Sequence, residues 1–235
     1  MLESLPCRQK IYSPGRYLFD VLDDLVKDQV VRQATEHQFG NQDYLVRQGE
    51  KTSGIHIIKS GTVETLHEPC PGKELILASW TVGDFIGGPY LLGDHEHIWS
   101  SRALGRVTTL HLDKDALRWL ASESTAFGIA LIECVGFKGE RYSKFAQVMA
   151  THTTTERLAL LISELAQNAK RTGDGRLRVG LIKQSKLSHM IGATRQSVAN
   201  ALQKLEDCGA IAIEATSIVI TNPDALAAFT KSGTE

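Results

Sequence analysis

Glycine-bearing turns break the chain at short intervals from Gln38 to Leu112: FGN, RQGE, KSG, PGK, VGD, LGD and LGR. Between them lie strand-like runs, IHIIKSG (Ile55–Gly61), TVETLH (Thr62–His67), ELILASW (Glu74–Trp80) and VTTLHLD (Val107–Asp113). Regular turns between β-rich runs predict an antiparallel roll or barrel. Gly49, Gly61, Gly72 and Gly83 are expected where the chain turns with positive φ. One stretch stands apart, GDFIGGPYLLGDHEHIWSSRA (Gly83–Ala103), which reads as a strand, a glycine-rich turn with a short helix, and a second strand. Its free backbone N–H groups suit an anion, yet its side chains are mostly rings. His95-Glu96-His97 reads as a solvated hairpin loop.

The period changes on either side of this region. YLFDVLDDLVKDQVVRQA (Tyr17–Ala34) and KDALRWLASES (Lys114–Ser124) are helical in pattern. From Phe127 to Met149, Leu131, Val135, Tyr142, Phe145 and Met149 fall near alternating steps of three and four, a self-pairing seam that Lys138 interrupts. Thr153 with Glu156 forms a capping box for ERLALLISELAQNAKR, which TGDG (Thr172–Gly175) ends. The expected domains are therefore 1–124, a β-roll; 125–152, a dimerisation helix and hinge; and 153–235.

The last of these carries the chemistry. Gln184–Ile191 predicts a helix, Gly192 a left-handed turn, and Thr194 the cap of a second helix, Arg195–Asp207. Val198, Ala201, Leu202 and Leu205 share one face of it, and Arg195, Gln196, Ser197, Asn200 and Lys204 the other. Such a helix–turn–helix reads the major groove: arginine can pair with guanine, and glutamine or asparagine with adenine. Lys183 and Gln184, at the start of the first helix, join Thr194 and the polar face as expected DNA contacts. AIAIE and SIVIT after Gly209 predict a wing. Net charge is −1, so attraction to DNA must be local. Lys170 to Lys204 supplies it, with eight basic residues against one acid.

Other classes find no support. There is no nucleophile elbow, P-loop, HExxH or dinucleotide fingerprint, so no enzyme is expected. Cys7, Cys70, Cys134 and Cys208 are too scattered for a zinc ribbon or disulfide framework. MLESLPCRQK lacks the apolar run of a signal peptide, and FGIALIECVG is too short to span a bilayer. A soluble, cytoplasmic protein with no membrane partner is expected.

RQGE (Arg47–Glu50), IHIIKSGTV (Ile55–Val63), GKELILASWTVGDFIG (Gly72–Gly87), the long central helix and MIGATRQSVANALQKLED (Met190–Asp207) together resemble the cyclic AMP receptor protein/fumarate-nitrate regulator (Crp/Fnr) superfamily, over about residues 15–222. The resemblance implies an α+β protein: a cyclic-nucleotide-binding-like jelly-roll, a dimer helix and a winged helix-turn-helix. It implies a homodimer on a palindromic operator in double-stranded DNA, activating transcription by recruiting RNA polymerase. Departures from the family pattern argue against cyclic AMP. Gly88 stands where cyclic AMP binders carry a glutamate, and His97-Ile98 where they carry Arg-Ser; imidazole cannot replace a permanently charged, bidentate guanidinium. Tyr142 and Ser143 stand at the two hydroxyl positions facing the base. Cys7 alone does not make an iron–sulfur cluster. Gln196 and Asn200 replace a glutamate and a second arginine, so the half-site should differ.

Three occupants remain for the pocket. The first is an organic effector with an aromatic or apolar body held by Tyr90, Trp99, Tyr142 and Phe145, its acid group meeting the Gly87 and Gly88 amides, His97 or Arg102. The second is haem, on His95 or His97. The third is none, the rings being core. Tyr142 and Phe145, on the helix towards the DNA-binding domain, are the expected two-state element.

Overall fold

The computed structural model describes residues 18–70, 73–167, 169, 176–180 and 182–230. Within them the chain divides at Glu140–Arg141 into two compact units. Gly72, Lys170, Arg171 and the TGDG stretch lie outside the described residues.

The first unit is built on two long strands. A 3-10 turn (Phe19–Val21) leads into α1 (Asp24–Gln33), whose first turn is capped by Asp23 accepting from the Val26 N–H. Then follow β1 (Thr35–Phe39), β2 (Tyr44–Val46), β3 (Gly54–Cys70), β4 (Lys73–Trp80), β5 (Phe85–Ile86) and β6 (Ser100–Asp113), all antiparallel. The first half of β3 pairs with β5 and the second half of β6, which also carries β1; the second half of β3 pairs with β4 and the first half of β6, which carries β2. Each long strand thus serves both halves of the roll.

The predicted break at Gly61 is not a turn. β3 runs straight through it, and the register shifts between Ile58 and Thr62. Gly61 has φ 91° there, and a Cβ would lie 2.5 Å from the Arg106 carbonyl oxygen, so the glycine makes a bulge that bends one strand. Gly49 and Gly83 also take positive φ.

One face of β3 and β6 is closed by helices. Ile55, Ile57, Leu110 and Leu112 pack against Leu18, Leu22 and Val26, against Leu117 and Leu120 of α2 (Lys114–Glu123), and against Phe127, Leu131 and Cys134 of α3 (Thr125–Thr151). Leu131 therefore belongs to the core of its own unit, with half-buried Val135 packed beside it. The open apolar stripe of α3 is offset from it: Ile129 and Ile132 are exposed, and Gly136 and Gly139 continue their face with nothing near their Cβ positions.

The second unit follows the sequence reading more closely. Its described elements are α4 (Thr154–Gln167), β7 (Leu177–Gly180), α5 (Gln184–Ile191), α6 (Arg195–Asp207), β8 (Ile211–Glu214), β9 (Ser217–Ile220) and α7 (Pro223–Ala228). The capping box forms, with Glu156 Oε2 accepting from the Thr153 N–H at 2.7 Å. β8 and β9 make the predicted hairpin, and β7 adds a third strand on β9 that turn signals alone did not disclose. α7 was also unforeseen, although Asn222-Pro223 is a cap followed by proline at the first helical position.

Candidate functional site

α6 is set by local chemistry at both ends of its approach. Gly192 ends α5 at φ 60°, in the left-handed region, and its N–H bonds to the Ser188 carbonyl. Thr194 then caps α6, its hydroxyl accepting from the Ser197 N–H at 3.1 Å and lying 2.8 Å from the Ser197 Oγ. Val198, Ala201, Leu202 and Leu205 are buried among α4 and α5 side chains, as their spacing predicts. Thr194, Arg195, Gln196, Asn200 and Lys204 are exposed on the far side, and Ser197 is half-buried. Gln196 Nε2 donates to Asn200 Oδ1 at 3.0 Å, so two amides one turn apart are already aligned. Lys183 and Gln184 are exposed at the start of α5. Arg157 of α4, which the sequence reading passed over, donates to the Ile191 carbonyl at 3.0 Å and the His152 carbonyl at 2.9 Å, holding the end of α5.

The Gly83–Ala103 segment differs from its expected form. No helix forms after Gly87, because Pro89 lacks a donor and Gly87, Gly88 and Gly93 weaken any helical turn. Instead the segment folds back on the Gly49–Thr52 turn: the Gly49 N–H bonds to the His97 carbonyl, the His97 N–H to the Glu50 carbonyl and the Thr52 N–H to the His95 carbonyl. Gly87 (φ 128°) is obligatory, since a Cβ would lie 2.3 Å from the Gly54 carbonyl oxygen, whereas Gly88 has room for one.

This folding separates the two histidines expected to behave alike. His95 is exposed and stacked on Tyr90, ring centroids 4.1 Å apart. His97 is buried rather than solvated, 4% exposed, with its Nδ1 lacking a hydrogen-bond partner among the described residues. Burial pushes its pKa down, with Lys114 adding to that and Glu50 opposing it, so the ring is neutral at pH 7. Trp99 is half-buried. Arg102 holds Glu74 in a two-point ion pair at 2.9 and 2.7 Å, with Glu64 at 3.8 Å, and the pair raises its pKa further. Two of its guanidinium nitrogens are engaged by the protein's own carboxylates, while its buried Nε has no hydrogen-bond partner among the described residues. Tyr142 (half-buried) and Phe145 (buried) lie on α3 beyond Glu140, in the second unit.

Two groupings escaped the sequence reading because strand register creates them. Trp80 and Phe85, both buried, lie beneath Lys138 of α3, whose Nζ is 3.2 Å from the Trp80 ring centroid and 4.8 Å from that of Phe85. His37, His56 and His111 cluster from β1, β3 and β6, with ring centroids 4.5–5.7 Å apart. Burial, with the charges of His111, His37 and His97, lowers the His56 pKa to about 3. No group of three such ligands is arranged to hold a metal ion among the described residues, and none of their helices is long and apolar enough to cross a membrane. A separate cavity of about 490 Å³ is lined by Phe19, Val31, Ile57, Val82 and Leu110. Its charged wall residues, Lys59 and Glu36, are closed on each other at 2.6 Å, so it lacks the open polar anchor found at His97.

An antiparallel β-roll, a long helix and a winged helix-turn-helix with an exposed polar reading face define a DNA-binding transcriptional regulator with an effector-binding domain. Residues 36–124 match the cyclic nucleotide-binding domain family, and residues 156–229 the Crp-like helix-turn-helix domain family. The chain belongs to the Crp/Fnr family of transcriptional regulators. It is 26% identical over 188 residues to the cAMP-activated global transcriptional regulator CRP of Salmonella typhimurium, covering 78% of this chain and 88% of that one. Among solved structures it is similar to the c-di-GMP responsive global regulator CLP of Xanthomonas campestris (TM-score 0.73, 15% identity, 85% of this chain and 100% of that one). It is also similar to OCPA-complexed CprK (TM-score 0.68, 17% identity, 92% and 96%).

Proposed function

We propose that this protein is a cytoplasmic homodimer that binds a palindromic operator through α6 and activates transcription by contacting RNA polymerase, under control of a small organic acid that is not a cyclic nucleotide. In this reading residues 1–124 sense the effector, 125–152 pair the subunits, and 153–235 bind DNA. Arg195, Gln196 and Asn200 read bases, while Thr194, Ser197, Lys183, Gln184 and Lys204 fix the register on phosphate and sugar. The exposed Ile129–Ile132 stripe and the open Gly136 and Gly139 positions suit close approach of a second α3.

The observation that carries the effector reading is His97. A buried ring nitrogen without a partner among the described residues supports a polar ligand contact at His97, and a neutral imidazole is a poor substitute for the arginine that would grip a cyclic phosphate. Gly88 offers no carboxylate to a ribose, and Arg102 is already paired. The fold leaves ligand identity open: CLP is c-di-GMP responsive and CprK was solved with OCPA. An aromatic or apolar body would meet Tyr90 and Trp99, with its polar end on the Gly87–Gly88 amides and His97.

Gel shifts on a selected palindromic fragment, with and without organic acids, test this reading. Affinity for that fragment should exceed affinity for random duplex and change with the acid; equal binding to both duplexes under every ligand overturns it. Absorbance separates the effector from haem on His97, since haem gives a Soret band and the organic-acid reading expects none. His95, stacked on Tyr90, is the poorer axial ligand.

A further inference from the structure

Strand register builds the floor of the 490 Å³ cavity beside α1. Glu36, Leu110 and Ile57 stand opposite one another across β1, β6 and β3. Lys59, two residues beyond Ile57, falls on the same face. Ile57 and Leu110 are buried, while Val31 and Val82 are each 51% exposed at the opening. Backbone bonds hold the wall: the Leu18 N–H meets the Gly83 carbonyl at 3.0 Å, and the Gly83 N–H meets the Ile58 carbonyl at 2.9 Å. The volume lies in the range of about 300–1,000 Å³ usual for small-molecule pockets. No residue of α3 is among the described walls, and neither His97 nor Trp99 is.

Lys59 and Glu36 are the only charged side chains on these walls. Their Nζ and Oε2 atoms are 2.6 Å apart, and the side chains are 56% and 44% exposed. Closed in this way, the pair is no anchor for a single charge. An acid approaching Lys59 is repelled by Glu36, and an amine approaching Glu36 is repelled by Lys59. The pair is not saturated, however. An ammonium has three donors and a carboxylate two oxygens, and the Lys59–Glu36 bond uses one of each. A zwitterion can therefore lay its carboxylate on the Lys59 ammonium and its own ammonium on the second Glu36 oxygen. The four charges then alternate around a square, and the existing pair need not open. An α-amino acid carries its two charged groups on a single carbon, the separation this pair requires. Its side chain is left to meet the apolar floor.

We propose that this cavity is a second ligand site of the first unit, for a free α-amino acid with a large apolar side chain. The carboxylate meets Lys59, the ammonium meets Glu36, and the side chain covers Ile57 and Leu110. The site is independent of the effector assigned to His97.

Calorimetry on the full chain tests this with four probes: phenylalanine, alanine, 3-phenylpropanoate (no ammonium) and 2-phenylethylamine (no carboxylate). Phenylalanine should bind about fivefold more tightly than each of the other three, the scale expected of half-exposed charge contacts. Glu36→Gln should weaken phenylalanine and strengthen 3-phenylpropanoate, because the repelling carboxylate is gone while Lys59 remains. Lys59→Met should weaken phenylalanine and strengthen 2-phenylethylamine. These opposite gains separate the proposal from a folding defect, which would weaken every probe alike. No binding of phenylalanine at millimolar concentration overturns it. So does equal affinity for phenylalanine and 3-phenylpropanoate, which would mark a plain apolar pocket, or the same change for every probe in both variants.

Discussion

Acidification should loosen the β-roll through one buried imidazole, and the size of the effect follows from the His56 environment. His56 is 7% exposed, its Nδ1 lies 3.1 Å from the Thr109 hydroxyl, and the rings of His37 and His111 stand 5.7 and 4.5 Å away. Its pKa falls from 6.5 to about 3, chiefly through burial. Folding therefore keeps this ring neutral, while the unfolded chain takes up a proton below pH 6.5. Stability is complete above pH 6.5 and declines as pH falls from 6.5 towards 3. Each unit of pH in that window costs about 1.4 kcal/mol, so His56 alone should remove about 2 kcal/mol between pH 7 and pH 5. His97 and His111, whose pKa values are also lowered mainly by burial, add to the same trend. The assay is favoured by composition: Trp80, Trp99 and Trp119 are the chain's three tryptophans, and all lie in the first unit. Urea titrations followed by tryptophan fluorescence at pH 7 and pH 5 thus report the roll. His56→Gln, which can still hydrogen-bond to Thr109 and does not titrate, should lose about 2 kcal/mol less than the parent over that interval. Parallel losses in the two proteins refute the reasoning.

Three further outcomes are expected. Ile132→Glu places a charge on the open stripe of α3 and should shift the protein from dimer to monomer in sedimentation velocity, with little change in the tryptophan-reported midpoint, since Ile132 is 73% exposed. Gly87→Ala must relieve a Cβ 2.3 Å from the Gly54 carbonyl oxygen at φ 128°, and should lower roll stability by about 1–3 kcal/mol by urea titration. Arg195→Ala should weaken binding to the selected palindrome by about 1–3 kcal/mol and to random duplex much less, measured by fluorescence anisotropy at fixed salt; equal losses would reduce Arg195 to a phosphate contact.

What could be read in advance followed the range of the forces involved. The helix–turn–helix was legible residue by residue because its determinants are local: a glycine at φ 60°, a threonine cap three residues from its donor, and an apolar face at helical spacing. The roll was legible in kind, since glycine turns and β-branched runs are local too, but its register was not. Gly61 shows the limit: the same glycine signal serves a turn or a bulge, and only the pairing of β3 with β6 decides which. The packing of α3 was hard to read for a related reason. Leu131 and Ile132 are equally apolar and adjacent, and which one meets the roll depends on how the helix sits against Phe127 and Leu117. The Trp80–Lys138 pair spans 58 residues and the His37–His56–His111 cluster three strands, so neither leaves a motif. The Arg102–Glu74 pair leaves no motif either, its members lying 28 residues apart.

The sharing of β3 and β6 between both halves of the roll has a mechanical result. Neither half owns an independent hydrogen-bonded scaffold, so detaching β1 or β4 frays an edge, whereas melting either long strand dismantles the whole. Damage at the His56 end should therefore be felt at the Trp80 end through continuous backbone, and the roll should come apart in one cooperative transition with no surviving half.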